Sequence, residues 1–596
     1  LSALSSDETR RPPEHGAMLN ALSVSLGGDA AGVLRATRSM QQQGMAPAVR
    51  HAWGGGELQA WSQPAQRDTP DCFVRTPDGA ACCVGPIWYR GAFGVDALRR
   101  LLDETGEGDP LPGIDETKLR GNFALFLQKG ARAWLMNDAL GFARLYASRD
   151  GRFHGTSWLA ARAYGGDAEI DEAAAIEYVL LGAPHSERTV ARSVTKLAIG
   201  HAIDLGERRA ISRFPMGLWS GAQAFGSFDA AASALEVHLR TVFAEIVSAF
   251  PGRTSAALSG GFDSRLIVAG LLAQGERPTL FVYGKPDSED VPIAVEVARA
   301  EGIPIRTIDK DAVNRELPEA GLEELVRCAL FFDGLSNDGI DDRGADRETR
   351  IAQSAGGMLA LNGGGGEIFR NFFHLPDRRY RARDIVQAFY RGFDPAVFRR
   401  RDGLAAYETE MTESIGRSVG LGAGEIGSLL AREQTELVYP LFRCHHWMSL
   451  NNSIALRRGQ FSTPLVDLQT VRAACMLPLA WKNAGLFESR LITSLHRGIA
   501  SRPSAYGFHF SDGPDLHARW VEWSTGMRPV FARPLINAAR RRLRDVRASE
   551  PLIARYRSML PGAWQLDEVL DLVRLSDDAA LARAMSVELV SRELKP

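Results

Sequence analysis

The stretch Ala257–Gly270, ALSGGFDSRLIVAG, joins two different kinds of apolar run. Before it, TSAAL (residues 254–258) reads as a short strand; after it, residues 263–273 carry apolar side chains at helical spacing. Between them, Gly260 and Gly261 allow a tight turn and a close ligand approach with no Cβ in the way. The same rhythm continues downstream, with TLFVYG (279–284) as a strand, VPIAVEVARAEG (291–302) as a helix and IPIRTID (303–309) as a third strand. Upstream, Leu235, Leu239, Val242, Phe243, Ile246, Val247 and Phe250 fall at steps of three and four, which predicts an amphipathic helix. Strands alternating with helices predict an α/β doubly wound parallel sheet. SGGFDS then lies at the carboxyl end of a strand, where such sheets bind ligands.

The chemistry of the loop narrows the ligand. Freed N–H groups at Gly260 and Gly261, the Ser259 and Ser264 hydroxyls and a helix N-terminus make an anion cradle. Asp263 inside it repels phosphate unless Mg²⁺ bridges the two. The spacing is not that of a Walker A loop, and no Lys follows.

With 596 residues, two or three domains are expected. Residues 18–219 are rich in short strand-like runs (NFALFLQ, ARAWLMN, RLYASRD, RFHGTSW) parted by turn residues, with a loop at Pro110, Pro112 and Gly113. They predict an α+β domain of layered antiparallel sheet. Residues 220–525 hold the α/β part, which is mainly helical from Pro376, and 526–596 form a helical extension. Residues 1–17 read as a tail. The basic stretch NAARRRLRDVR (537–547) reads as a solvated helix face.

Net charge is -2 and mean hydropathy -0.14. Neither nucleic acid nor a membrane is expected as a partner, and a cytoplasmic location is expected because residues 1–16 lack an apolar core of signal type. Six cysteines make no disulfide framework. Cys444, His445 and His446 are adjacent and cannot converge on one metal from a helix, so they are read as helix surface.

LSGGFDSRL resembles the pyrophosphate loop of the asparagine synthetase family, whose members adenylate a carboxylate with ATP. Other stretches agree in order. LRGNFALFL (119–127), NDALGFARLYASRDGRFHGTSW (137–158) and RTVARSVTKLAIGHAIDL (188–205) resemble the family's amidotransferase-fold domain. LNGGGGEIFRNFF (361–373) resembles its second glycine-rich loop, and FSTPLVD (461–467) with MLP (476–478) its late helical segment. The resemblance implies adenine near Leu258 and Tyr283, and pyrophosphate on Ser259, Gly260, Gly261 and Ser264. It implies contributions from Gly363 and Gly364, and Mg²⁺ on Asp263 and Glu367. Lys482 or Arg490 is the expected oxyanion cation, with Glu408, Glu410 and Glu436 as candidate bases.

Departures from the pattern matter as much. Glutamine-using members carry a nucleophilic Cys after the first Met; here Leu19 follows Met18, and the earliest cysteine is Cys72. Asn451 stands where the family has Asp, and Leu486 and Phe487 where a late Lys is expected. Two branches resemble this arrangement, the β-lactam synthetases and the lasso-peptide cyclases. The second implies macrolactam formation between a peptide's N-terminal amine and an Asp or Glu side chain, with a leader-binding protein and a leader protease as partners. A small-molecule ligase of the asparagine synthetase or β-lactam synthetase kind, and a nonenzymatic ATP-binding scaffold, remain the alternatives.

Overall fold

The computed structural model describes residues 19–63, 72–106, 113–213, 219, 224–544 and 548–594. The predicted tail, Met18, Pro110, Pro112 and residues 545–547 lie outside them.

The N-terminal part stacks two six-stranded antiparallel sheets. One contains Ala21–Ser25, Ala46–Trp53, Gly56–Ser62, Tyr146–Ser148, Phe153–Gly155 and Val194–Lys196. The other contains Phe73–Thr76, Gly79–Val84, Ala124–Lys129, Arg132–Asn137, His201–Asp204 and Arg209–Ser212. Alternation along the strands builds the layers. Phe126 and Leu135 pack between the sheets against Leu22, Val24 and Leu58. Leu125, Leu127 and Trp134 turn the other way, onto Leu98, Leu101 and Leu102 of the helix Val95–Glu104. The helices Ala30–Gln42 and Trp158–Gly165 cover the far face of the first sheet. All four strands expected between residues 122 and 158 are present.

The second part is built on a five-stranded sheet in the order Ile305–Ile308, Thr279–Tyr283, Thr254–Ala257, Leu359–Leu361, Gln460–Ser462, parallel throughout. The helix Phe228–Ala249 precedes it, and Phe262–Leu272 and Asp290–Ala300 are the expected crossovers. Two strands were not foreseen. Leu359–Leu361 precedes the second glycine-rich loop, and Gln460–Ser462 takes the start of the stretch read as helical. Each is a buried or nearly buried triplet, too short for periodicity to show, and each is made a strand by its neighbour in the sheet.

The C-terminal part is helical. Its last helix, Asp578–Arg592, returns to the middle of the molecule, where Arg583 donates to the carbonyls of Val179 (2.9 Å) and Asn337 (3.1 Å). Cys444, His445 and His446 are buried, not at the surface, because their helix, Tyr439–Met448, has wider turns and is packed on all sides. Among the described residues the cysteines form no disulfide, and no helix is long and apolar enough to cross a membrane.

Candidate functional site

The strand Thr254–Ala257 ends just before Leu258, whose N–H still donates to Phe281 O (2.8 Å). The chain then turns through Ser259–Gly261 into the helix that starts at Phe262. The turn is held by its own hydroxyls. Ser259 and Ser264 lie Oγ to Oγ at 2.8 Å, Ser264 Oγ accepts from Ser259 N (3.0 Å), and Ser259 Oγ accepts from Gly261 N (3.1 Å). Gly260 N donates instead to Asp290 Oδ1 (2.8 Å), a carboxylate at the start of the neighbouring crossover helix. Gly260 also admits close packing, since a Cβ there would lie 2.8 Å from that of Ala505.

The second glycine-rich loop closes directly onto the first. A Cβ on Gly363 would meet the Asp263 carbonyl carbon at 2.7 Å and Ser264 N at 2.9 Å; one on Gly366 would meet Asp263 Oδ1 at 2.3 Å. Gly364 faces Met448 instead. Close approach of the two loops accounts for Gly363 and Gly366, and it places Asp263 and Glu367 on either side of one cation, Arg370.

Arg370 Nη2 donates to both oxygens of Asp263 (2.8 and 2.7 Å), its Nε lies 2.9 Å from Glu488 Oε2, and Glu367 Oε1 is 4.0 Å away. The guanidinium also lies over the Phe262 ring, 5.2 Å from its centroid. Burial pushes the carboxyls of Asp263 and Glu488 above their ordinary range, and their mutual proximity holds Glu488 higher still. Burial opposes charge on Arg370, but Asp263, Glu488 and Glu367 outweigh it and keep the guanidinium charged. Glu367 is anchored as well, accepting from Tyr439 Oη (2.5 Å) and Gly365 N (3.1 Å).

Lys482 is buried, pairs with Glu436, and lines the cleft that opens beside Arg370. Glu436 is held in turn by Arg432. The other candidate bases are placed elsewhere: Glu408 pairs with Arg391 (3.1 Å), and Glu410 with Arg188. Arg490 is half-exposed and turned toward Asp229 (3.8 Å), away from this group. Tyr283 ends its strand with Lys310 over its ring (4.4 Å) and Gln353 donating to its hydroxyl, beside buried Leu258.

The cleft is about 700 Å³ and rich in aromatic side chains, among them Phe262, Phe372, Phe373, Phe389, Tyr506 and Phe508. Glu367, Arg370 and Lys482 lie in its lining. Sequence reading found the two loops but not Arg370, Glu488, Tyr439 or Asp290. Arg370 was within reach, three residues after Glu367 in the same loop. Glu488 adjoins Phe487, and only the fold brings it to Asp263.

Among the described residues no group of three or more His, Cys, Asp and Glu is arranged to hold a metal ion. Asp263 and Glu367 nonetheless suit Mg²⁺, which binds through one or two carboxylates and completes its shell with water and phosphate. Their shared contact with a guanidinium shows that positive charge is accommodated there.

No family model matches the chain, and no curated protein does. Solved structures that match include the glutamine phosphoribosylpyrophosphate amidotransferase of B. subtilis complexed with ADP and GMP, 13% identical over 50% of this chain and 69% of that one, with a TM-score of 0.23. Another, described as the allosteric regulatory enzyme of purine biosynthesis, is 13% identical over 50% of this chain and 68% of that one, with a TM-score of 0.24.

Proposed function

We propose that this chain is an ATP-dependent carbon–nitrogen ligase. It activates a carboxylate as an acyl-adenylate with release of pyrophosphate, then joins the acyl group to an amine with release of AMP. The substrate we assign is a peptide closed into a macrolactam between its N-terminal amine and an Asp or Glu side chain. The observation that carries this reading is the junction of the two glycine-rich loops at Asp263, whose neighbours Phe262, Glu367 and Arg370 line a large aromatic cleft. A 700 Å³ volume exceeds what a small amino acid fills and suits several peptide residues.

Each residue has a part in the two half-reactions. The Ser259 and Ser264 hydroxyls and the N–H of Gly261 exchange their mutual bonds for bonds to the pyrophosphate; Gly260 N–H does so by giving up Asp290. Leu258 and Tyr283 border the adenine. Asp263 and Glu367 would hold Mg²⁺, which supplies positive charge against the leaving pyrophosphate. The substrate carboxylate oxygen attacks the α-phosphorus as the bond to pyrophosphate breaks. The amine then attacks the acyl carbon, loses its extra proton, and AMP leaves. In this reading Lys482, which lines the cleft, stabilises the oxyanion of that second step, and Glu436, paired with it, accepts the proton.

The test is mass spectrometry of a candidate precursor peptide incubated with the protein, its leader protease and Mg-ATP, with AMP and pyrophosphate measured in parallel. Loss of one water from the peptide, absent in Asp263→Asn, is the expected result. AMP formed with a small amino acid while the peptide stays unchanged would instead assign a small-molecule ligase. ATP bound without any pyrophosphate release would leave a scaffold.

A further inference from the structure

We propose, resting on the reading of this cleft as the peptide site, that its end at His374 binds a second carboxylate of the same substrate, with Arg528 as the anchor. One stretch of chain joins the two polar ends of the cleft. Arg370 lies at the Asp263 end. Three and four residues later, the carbonyls of Phe373 and His374 accept from Arg533 (2.9 and 2.6 Å), whose Nε also donates to Arg528 O (3.4 Å). Arg533 is thereby committed to the backbone. Arg528 is not. It is half-buried and lines the cleft, and among the described residues its guanidinium has neither a hydrogen-bond partner nor a carboxylate within ion-pair distance.

Nothing at this end neutralises the cations. Among the described residues no carboxylate pairs with Arg528, Arg533 or Arg378, and Arg378 donates to Tyr380 Oη instead (3.0 Å). Burial pulls the Arg533 pKa below its ordinary value, and Arg528 and Arg378 add to that pull against Tyr380, so the three cations sense one another. Glu522 lines this end as well, but it is spent on His374 Nδ1 (3.0 and 3.1 Å). A half-buried guanidinium left without a counterion in a concave, aromatic-walled cleft is a site for an anion from outside.

The surroundings select a carboxylate. The planar fork of Arg528 matches one carboxylate in bidentate fashion. A phosphate group brings about -1.5 to -2 charge at pH 7, and Glu522 on the same wall repels the excess. Span narrows the substrate further. Fully extended, residues 370–374 cover about 14 Å, which is the reach of a peptide whose two acids lie four residues apart. Anchoring one acid on Arg528 fixes which of the two is presented at Asp263.

Calorimetric titration with three acetylated, amidated pentapeptides tests this: Asp-Gly-Phe-Gly-Asp, and the same peptide ending in Asn or in Lys. The doubly acidic probe is expected to bind at least tenfold more tightly than the Asn probe, by a margin that narrows as salt is raised. Arg528→Gln should bind the two equally at an unchanged thermal midpoint, and Arg528→Glu should prefer the Lys probe. Equal binding of the acidic and Asn probes by the wild type, no binding of the acidic probe, or a preference for it that survives in both variants overturns the proposal. So does displacement of the acidic probe by inorganic phosphate at a tenfold lower concentration than acetate, which would give the site to a phosphate group. Should Arg528→Gln misfold, the reversed preference of Arg528→Glu decides. None of these readouts involves nucleotide chemistry. Failure here leaves the ligase reading standing, and a chain that binds the acidic probe but forms no AMP keeps the subsite and loses the ligase.

Discussion

Arg370 is the residue on which the candidate site turns. It is one cation in contact with two carboxylates, the half-buried Asp263 and the buried Glu488, and near a third, Glu367. Removing one partner of such a group leaves uncompensated charge in a poorly solvated place, at a cost of about 3–5 kcal/mol. Arg370→Met, which keeps much of the stem, should lower the thermal midpoint accordingly. The sign of its pH dependence follows from the carboxyls. Burial already raises Asp263 and Glu488, and without Arg370 they rise further, so protonation relieves the variant more than the wild type. The deficit should therefore shrink as pH falls from 7.5 toward 5, and added Mg²⁺ should restore stability to the variant at pH 7.5. Equal deficits at both pH values would mean that Arg370 acts through packing on Phe262 alone.

At the scale of elements, the site depends on how closely one loop lies on another. A methyl on Gly363 would press on the backbone of Asp263 and Ser264, which cannot move without shifting the helix Phe262–Leu272. Gly363→Ala should cost about 1–3 kcal/mol and abolish AMP formation together. Gly261→Ala makes the contrast, since its Cβ would meet only Ser259 Oγ, at 3.3 Å. That variant should keep the wild-type thermal midpoint and, on the ligase reading proposed above, bind ATP at least tenfold more weakly, because in that reading the added methyl stands where phosphate approaches. Calorimetry of both separates a structural glycine from a ligand-facing one; loss of stability in Gly261→Ala would sink the distinction. The same elements show what could be read from the chain. The rhythm of residues 254–309 specified the strands Thr254–Ala257, Thr279–Tyr283 and Ile305–Ile308, because each is bounded by a helix of clear period. The strands Leu359–Leu361 and Gln460–Ser462 were silent, since three residues carry no period and their strand character comes from the sheet. Likewise Glu488, on a helix far along the chain, gave no local sign of its partnership with Asp263.

For the whole molecule, the question is what binds the layered N-terminal part to the rest. Much of that seam is polar and largely buried. Arg144 donates to Ser449 Oγ (2.8 Å), Arg120 pairs with Glu245 (2.6 Å), and Lys196 Nζ lies 2.7 Å from His446 Nδ1. His185 and His445 complete the group around that last contact, along with Arg144 and Arg443, and among the described residues no carboxylate pairs with Lys196. Burial pulls Lys196 well below its ordinary range, nearby Arg144 pulls the same way, and Glu187 and Glu177 oppose only in part. A lysine whose folded pKa is depressed contributes its full stability above its unfolded pKa of about 10.4, and that contribution is lost as pH falls. At neutral pH the wild type thus carries a cost that Lys196→Met, with a similar stem and no charge, does not. The variant should be at least as stable as the wild type at pH 7. As pH rises to 10 the wild type should gain on it by up to about 1.4 kcal/mol per pH unit. Comparing the two proteins cancels the titrating groups that do not sense Lys196, so thermal midpoints measured at pH 7, 8.5 and 10 report on this seam. A difference that stays constant across that range would show that the ammonium is stabilised in place, and that the seam is held as an ion cluster rather than by neutral hydrogen bonds.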